Sequence, residues 1–521
     1  MAKNNNINDF MKDVANAIRT KTNKTNKINP QNFSSEILNI QSGIKPEGVI
    51  SIEENGTYDV TEYGTAEVNV KGGEYNIIQE ETEDGVKLHI FDADNKALYC
   101  CKVMDYDGSI IKEEYHASGE MFELPNEFPV HDKLIAQEWV GPVEIVNNKV
   151  TVTDKDLTFG VVYTTKSGLS EFDIIIPKSL VGANIGFNMD GTKDWGDGTV
   201  NTSNVHQYTT PGKYTITCDG TYLGNQINSY RDLFAASMDD WHNFIIDARI
   251  GPNVTKIGSG FGSSSGLRTI TIPNTVMEIT GSDLGYMVCS NNLAEVVTIP
   301  ATITNLSNSG ISAKEVILPH TITTMDSLEV YGMNALSLPD TLNTISKLIA
   351  PLIPRIKLPS NLTTLGNVTC DSITELTLPN TLVSVGTIEC AKIRKLILPN
   401  TISSKLSLNC EHLSEVTLSN KITNIDSIML GNSRNDYLTK LNVPSSVTTI
   451  NAKAFQNCAV LQRVNFTEHS QIPTLTSSTL QGLNFSKERF QIVVPDELYD
   501  AWVLATNWSN NAKYIYKASE V

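Results

Sequence analysis

The residues that carry most enzyme chemistry are thinly spread in this sequence. Its eight histidines run from His89 to His469 with no shared spacing. His320 and His412 fall at different phases of a repeat described below, so no register aligns them as a pair. No HExxH, GxSxG, phosphate-loop or dinucleotide-loop pattern occurs, and no motif picks a catalytic pair from the 58 acidic residues. The expectation is a protein with no catalytic residues, no cofactor and no enzyme activity. One acidic cluster, Asp190, Asp194 and Asp197, has enough carboxylates in one loop to suggest calcium. Its spacing is not that of an EF-hand, and turn-forming aspartates are the competing reading. The eight cysteines form no CxxC pair, which disfavours zinc. Three of them, Cys370, Cys390 and Cys410, are spaced by twenty.

That spacing belongs to a repeat. Prolines stand at Pro300, Pro319, Pro339, Pro359, Pro379 and Pro399, Ser419 takes the next slot, and outlying copies fall at Pro252, Pro273 and Pro444. Two positions apart before the slots the chain is apolar: Leu336 and Leu338 flank Ser337, Leu376 and Leu378 flank Thr377, Leu396 and Leu398 flank Ile397, Val416 and Leu418 flank Thr417. This alternation predicts a short strand that proline ends. After each proline, apolar columns follow, among them Ile322–Leu342–Leu362–Leu382–Ile402 and Leu328–Leu348–Val368–Ile388–Leu408. The cysteines occupy one such column with Val330 and Ala350, so buried reduced thiols are expected. Disulfides or a metal ladder are the alternative. A unit of this length cannot bury its apolar face alone, and stacked units can. The prediction is a solenoid with coils about 4.8 Å apart.

Formal net charge is −18. By count from the sequence, residues 1–43 carry six Lys/Arg against three Asp/Glu, and residues 44–170 carry ten against twenty-five. The acidic balance argues against nucleic acid as a partner. No apolar run reaches the roughly 20 residues of a membrane span, so no membrane partner is expected. The first twenty residues lack a signal-peptide core and the closing residues lack an anchor, an expectation of synthesis and folding in the cytosol.

The other segments supply the rest of the layout. Two short helices are expected in residues 1–43, with Phe10, Val14 and Ile18 on one stripe and Phe33, Ile37 and Ile40 on another. Such a pair buries too little to stand alone, so those six residues are the expected partner-binding set. A β-hairpin module (44–72) and one or two small β domains (73–167) follow. Outward strand positions of the repeat, Ser337, Lys357, Thr377 and Thr417, are small or polar, and Tyr331 is the main aromatic nearby. This counts against a glycan groove in mid-solenoid. Ligand-contact candidates therefore fall at the ends: Tyr230, Trp241 and His242 before the repeat, and Tyr499, Trp502 and Trp508 after it. Packing in the cap cores is the other reading of these aromatics.

Three resemblances extend this. Residues 441–466, "LNVPSSVTTINAKAFQNCAVLQRVNF", resemble a unit of the BspA-type leucine-rich repeat, and the likeness extends over about 245–470. The central units lack the AFxNC segment, and a second strand is expected in its place. The tail also resembles the segment that closes such arrays. "WGDGT", His206, Tyr208 and Tyr214 resemble the PKD-like immunoglobulin fold and imply structural roles for Trp195, His206 and Tyr214. Residues 14–40 with "NGTYDVTEYGTAEVNV" resemble a module of phage tail and baseplate proteins, which implies attachment to a virion through the N-terminus.

The expected fold is mainly β and multidomain. Its parts are an N-terminal helical anchor (1–43), the modules 44–72 and 73–167, a PKD-like sandwich (168–225), the solenoid (226–470) and a C-terminal cap (471–521). The expected function is a virion structural protein of tail, baseplate or fibre. It would be homo-oligomeric, would contact other virion proteins, and would support attachment to a host glycan or protein. A head fibre or decoration protein and a BspA-type bacterial surface adhesin are the alternatives.

Overall fold

The computed structural model describes the strands at 47–52, 56–59, 65–70, 75–82 and 85–92, and then residues 98–224, 245–258, 267–280 and 294–521. The last range has breaks at 333–335, 404–405, 427–428, 431–434, 436, 452, 456–457, 459 and 478–489. Strands 234–236 and 288–290 are described by backbone alone. The expected helices of residues 1–43, with their six partner-binding residues, lie outside the described residues, as do Tyr230, Trp241 and His242. The chain forms two compact units, 1–98 and 99–521. In the first, strand 47–52 pairs in parallel with 65–70, and strand 85–92 pairs antiparallel with both 56–59 and 75–82.

The second unit opens with a four-stranded sheet. Its strands are β1 (Leu98–Met104), β2 (Ile110–Ala117), β3 (Leu134–Val140) and β4 (Leu157–Thr165), in the order β2-β1-β4-β3. All nine residues of β4 are buried, as in a strand covered on both faces. One face packs on a core of its own that includes Phe122, Trp139 and Phe159. The other lies against the repeat.

Next come β5 (Ser170–Ile176), β6 (Lys193–Asp194) and β7 (Gly212–Cys218), which form two-layered β structure with the separate strand set 185–187, 205–206 and 234–236. β5 pairs antiparallel with β7 on one side and with β8 (Ile245–Arg249) on the other, and β9 (Thr269–Thr271) then pairs in parallel with β8. The repeat therefore begins on the free edge of β5. Arg249 fixes this junction: its Nε and Nη2 donate to Glu171 Oε2 (3.1 Å) and Asp173 Oδ2 (2.8 Å). One continuous core runs from Phe172 to Ile515.

The repeat is a mainly β solenoid with coils of about twenty residues. Strands 324–330, 344–349, 364–369 and 387–389 stack in parallel register, so Leu328, Leu348, Val368 and Ile388 form one ladder. These are the second strands that replace the AFxNC segment. The predicted columns are in the core: Ile322, Leu342, Leu362, Leu382 and Ile402 are all fully buried. At Gly366 a Cβ would collide with the Ser346 carbonyl oxygen of the coil below, so only glycine fits there.

A hydroxyl ladder joins the coils at the proline turn. Thr321 Oγ1 donates to Ile303 O, Thr341 to Ile322 O, Thr381 to Leu362 O and Thr401 to Leu382 O. Lys421 occupies the next threonine slot and has no hydroxyl. There Ser419, in the proline slot, donates its Oγ to Ile402 O at 2.7 Å and is fully buried. The loss of proline and the loss of threonine are thus one compensated change.

Ser419→Ala leaves the Ile402 carbonyl without this donor. It should cost about 1–2 kcal/mol in denaturant unfolding, and adding Lys421→Thr should recover most of that. Failure of the second change to rescue would show that the two slots do not compensate.

Candidate functional site

The lateral strand face of the solenoid, formed by the residues just before each proline, is covered along its first coils by the sheet of β1–β4. Met104 packs with Val296 and Ile317. At Gly160 a Cβ would lie 2.5 Å from Thr298 Oγ1 and 2.7 Å from Ile317 Cδ1, so β4 reaches the face by lacking a side chain there. Gln137 Oε1 accepts from Asn274 N, and Glu138 Oε1 from Ala301 N. Ser337 accepts from Thr158 N and donates to Asp156 O. Lys155 Nζ donates to Leu338 O and Asp340 Oδ2, Arg355 pairs with Asp156, and Lys357 pairs with Asp154. Burial pushes the Asp340 carboxyl up, but hydrogen bonds from Lys155 and Ser360 hold it below its usual range.

This corrects the expectation for two outward positions. Ser337 is 5% exposed and shielded by β4, and the Lys357 ammonium is taken by Asp154. The same face is open further along. Thr377 and Thr417 are exposed, and Ile397 between them is 55% exposed. Glu375 and the Lys395–Glu415 pair (2.7 Å) line its edge. Tyr331 is half-buried beside Glu329, with its hydroxyl 3.1 Å from the carboxylate. Sequence reasoning missed the contact residues on Asp154, Lys155 and Asp156, because their partners are about two hundred residues away and no local pattern marks them.

The aspartate loop is organised by backbone amides. Asp190 Oδ1 accepts from Thr221 N and Tyr222 N, Asp194 Oδ1 from Gly196 N, and Asp197 Oδ1 from Thr199 N. Asp197 Oδ2 lies 2.7 Å from His206 Nε2. Burial raises the Asp197 carboxyl, yet the His206 and Thr199 contacts keep it below the ordinary value. These are turn roles, and no group of three metal-ligating side chains occurs among the described residues. His206 stacks on Trp195, which is fully buried, and Tyr208 OH donates to Trp195 O. Tyr214 OH donates to Thr210 O at a turn.

The C-terminal aromatics are corrected as ligand contacts. Trp502 is 0% and Trp508 1% exposed. They close the last coil, with ring centroids 5.3 and 5.6 Å from Phe466, and Trp508 Nε1 donates to Pro473 O. A ligand cannot reach either without opening the cap. Tyr499 is half-buried beneath Lys517.

Cys370, Cys390 and Cys410 are free, buried thiols stacked in one column. A hydrogen bond with Cys370, and then burial, raise the Cys390 pKa. Burial pushes Cys410 and Cys458 up to about 12. Cys289 lies outside the residues whose side chains are described.

The fold and its open lateral face define a leucine-rich-repeat solenoid protein. Residues 241–493 match the BspA type leucine rich repeat region, in overlapping segments 241–350, 282–389, 351–462 and 388–493. The matched stretch is 253 of the 521 residues, just under half of the chain, and coincides with the solenoid. No curated protein matches the chain. Among solved structures, a leucine-rich cell surface protein from Faecalibacterium prausnitzii is similar at 17% identity, over 55% of this chain and 86% of that one, with a TM-score of 0.31. A leucine-rich repeat protein from Bacteroides ovatus is similar at 14% identity, over 64% and 99%, with a TM-score of 0.34.

The buried thiols should resist iodoacetamide in the folded protein, since the reagent cannot reach them in the core. Mass spectrometry at mildly alkaline pH should find Cys370, Cys390, Cys410 and Cys458 unmodified when native and fully modified in denaturant. Rapid native labelling of the column would show that it is open.

Proposed function

We propose that the protein is a non-enzymatic attachment protein in which the BspA-type solenoid is a rigid display element, of the surface-adhesin kind. The observation that carries this is the lateral face itself. Its first coils are covered by the β1–β4 sheet, while the stretch around Thr377, Ile397 and Thr417 is solvent-exposed. Short parallel strands with small outward side chains make a flat surface, suited to a protein or glycan partner of comparable flatness. The repeat family supports this reading over the virion reading.

The second reading is a virion component of a phage tail, baseplate or fibre, or of the head, joined to the particle through the N-terminus. What favours it is the sequence "VANAIRTKTNKTNKINPQNFSSEILNI" with the strands that follow, and the partner-binding set would then be Phe10, Val14, Ile18, Phe33, Ile37 and Ile40. In both readings oligomerisation raises avidity without new contacts.

Location separates the two. Mass spectrometry of washed cells and of gradient-purified particles from the source culture should find the chain on cells. Recovery in particles at a fixed ratio to capsid protein would overturn the adhesin reading and establish the virion one. On cells, replacing Thr377 and Thr417 with Lys should weaken adherence severalfold while the protein stays folded; unchanged adherence would remove this face from the attachment role.

A further inference from the structure

The junction between the last coil and the C-terminal cap holds a buried imidazole whose only polar surroundings among the described residues are the backbone carbonyls of Val447 and Phe466, neither in good hydrogen-bond geometry. His469 is 5% exposed, and neither Nδ1 nor Nε2 has a hydrogen-bond partner. Trp502 Nε1, which faces the same junction, is also buried and unpartnered. The His469 ring stands edge-on to Phe466 at 5.2 Å and to Trp502 at 6.2 Å, and Trp502 stands edge-on to Trp508 at 5.6 Å. The His469 and Trp502 rings thus both lie where Phe466 of the last coil touches α1 (Tyr499–Trp502) of the cap. Buried polar groups are normally paired, and a group left unpaired in a native structure calls for an explanation.

We propose that His469 is an acid-sensitive latch on the C-terminal cap: neutral, it packs as an aromatic between the last coil and residues 490–521, and protonated, it releases them. An imidazolium carries two N–H donors and a charge, and a box of Phe466, Trp502 and Trp508 replaces little of the lost hydration. Among the described residues, the backbone carbonyls of Val447 and Phe466 favour the charged ring. Burial outweighs them and pushes the His469 pKa below the usual histidine value. Charged side chains on the surrounding elements do not enter this balance: Glu468 on the same turn, Lys453 on the coil beneath, and Asp496, Glu497, Asp500 and Lys513 of the cap are exposed at the surface. Lys517 is half-buried, with its ammonium over the Tyr499 ring.

The sign follows from the lowered pKa. Above the unfolded value, about 6.5, the ring is neutral in both states and the cap keeps its full stability. As pH falls towards the folded value, the open cap binds the proton first and closure weakens. Opening would bare the apolar end of the last coil at Phe466 and Leu475.

Hydrogen exchange of the full chain, corrected for intrinsic rates, tests this between about pH 7.5 and about pH 5. Protection across 490–517 should fall by up to about thirtyfold, the limit set by how far pH 5 lies below an unfolded pKa of about 6.5, while strands 344–349 and 364–369 keep theirs. His469→Phe should abolish the pH dependence of the cap. Constant protection of the wild-type cap, an equal loss in the central coils, or the same loss in His469→Phe would each overturn the proposal. The wild-type comparison of cap with central coils decides the matter even if the variant does not fold.

Discussion

Each coil of this protein depends on its neighbours to bury its apolar side chains. A twenty-residue turn encloses too little volume to shield Ile322 or Leu348 from water, yet both are fully buried between coils. Stacking also satisfies the backbone, because strands such as 344–349 and 364–369 pair in parallel register with the coils on either side. The hydroxyl ladder at the proline turn adds a second inter-coil tie. Burial of one such leucine is worth about 1.5–3 kcal/mol, and the sum is realised only when the neighbouring coil is present. Stability is therefore a property of the stack, and its two ends become the points that need protection.

The ends are protected by different means. At the N-terminal end β5 offers an antiparallel edge to β8, so the solenoid grows out of a neighbouring sheet and has no bare first coil. Arg249, held by Glu171 and Asp173, fixes the register of that joint with charge. A buried ion triad of this kind specifies geometry more than it adds stability. At the C-terminal end strand 515–517 extends the lateral sheet, and Trp502 and Trp508 fill the open core. That second closure is aromatic and almost uncharged, which is why a single titratable ring inside it matters.

The β1–β4 sheet adds a constraint of another kind. It fixes which part of the lateral face can meet a partner. Gly160 permits close approach over Thr298 and Ile317, and the Asp154–Lys155–Asp156 run ends the contact with three ion pairs near Lys357. Beyond that point the face meets solvent. How much of the lateral face is open is thus set by a part of the same chain.

Much of the solenoid was legible in the sequence, since a period of twenty and fixed apolar columns leave one way to bury Ile322, Leu328 and Cys370 together. The structural roles expected of Trp195 and His206 rested on a resemblance and not on a local pattern, and the structure buries Trp195 with His206 stacked on its ring. The exchange of roles between Ser419 and Lys421 was visible only as a missing proline. The cover over Ser337 and Lys357 was not legible, and neither was the placement of His469 between Phe466 and Trp502. The sequence by itself determined the repeat, its core columns and its β character, because these follow from periodicity within each coil. Tertiary structure alone decided which face stays open and which polar ring is trapped. Those outcomes depend on contacts between segments far apart in the chain, and no local pattern encodes which distant surface a strand will meet.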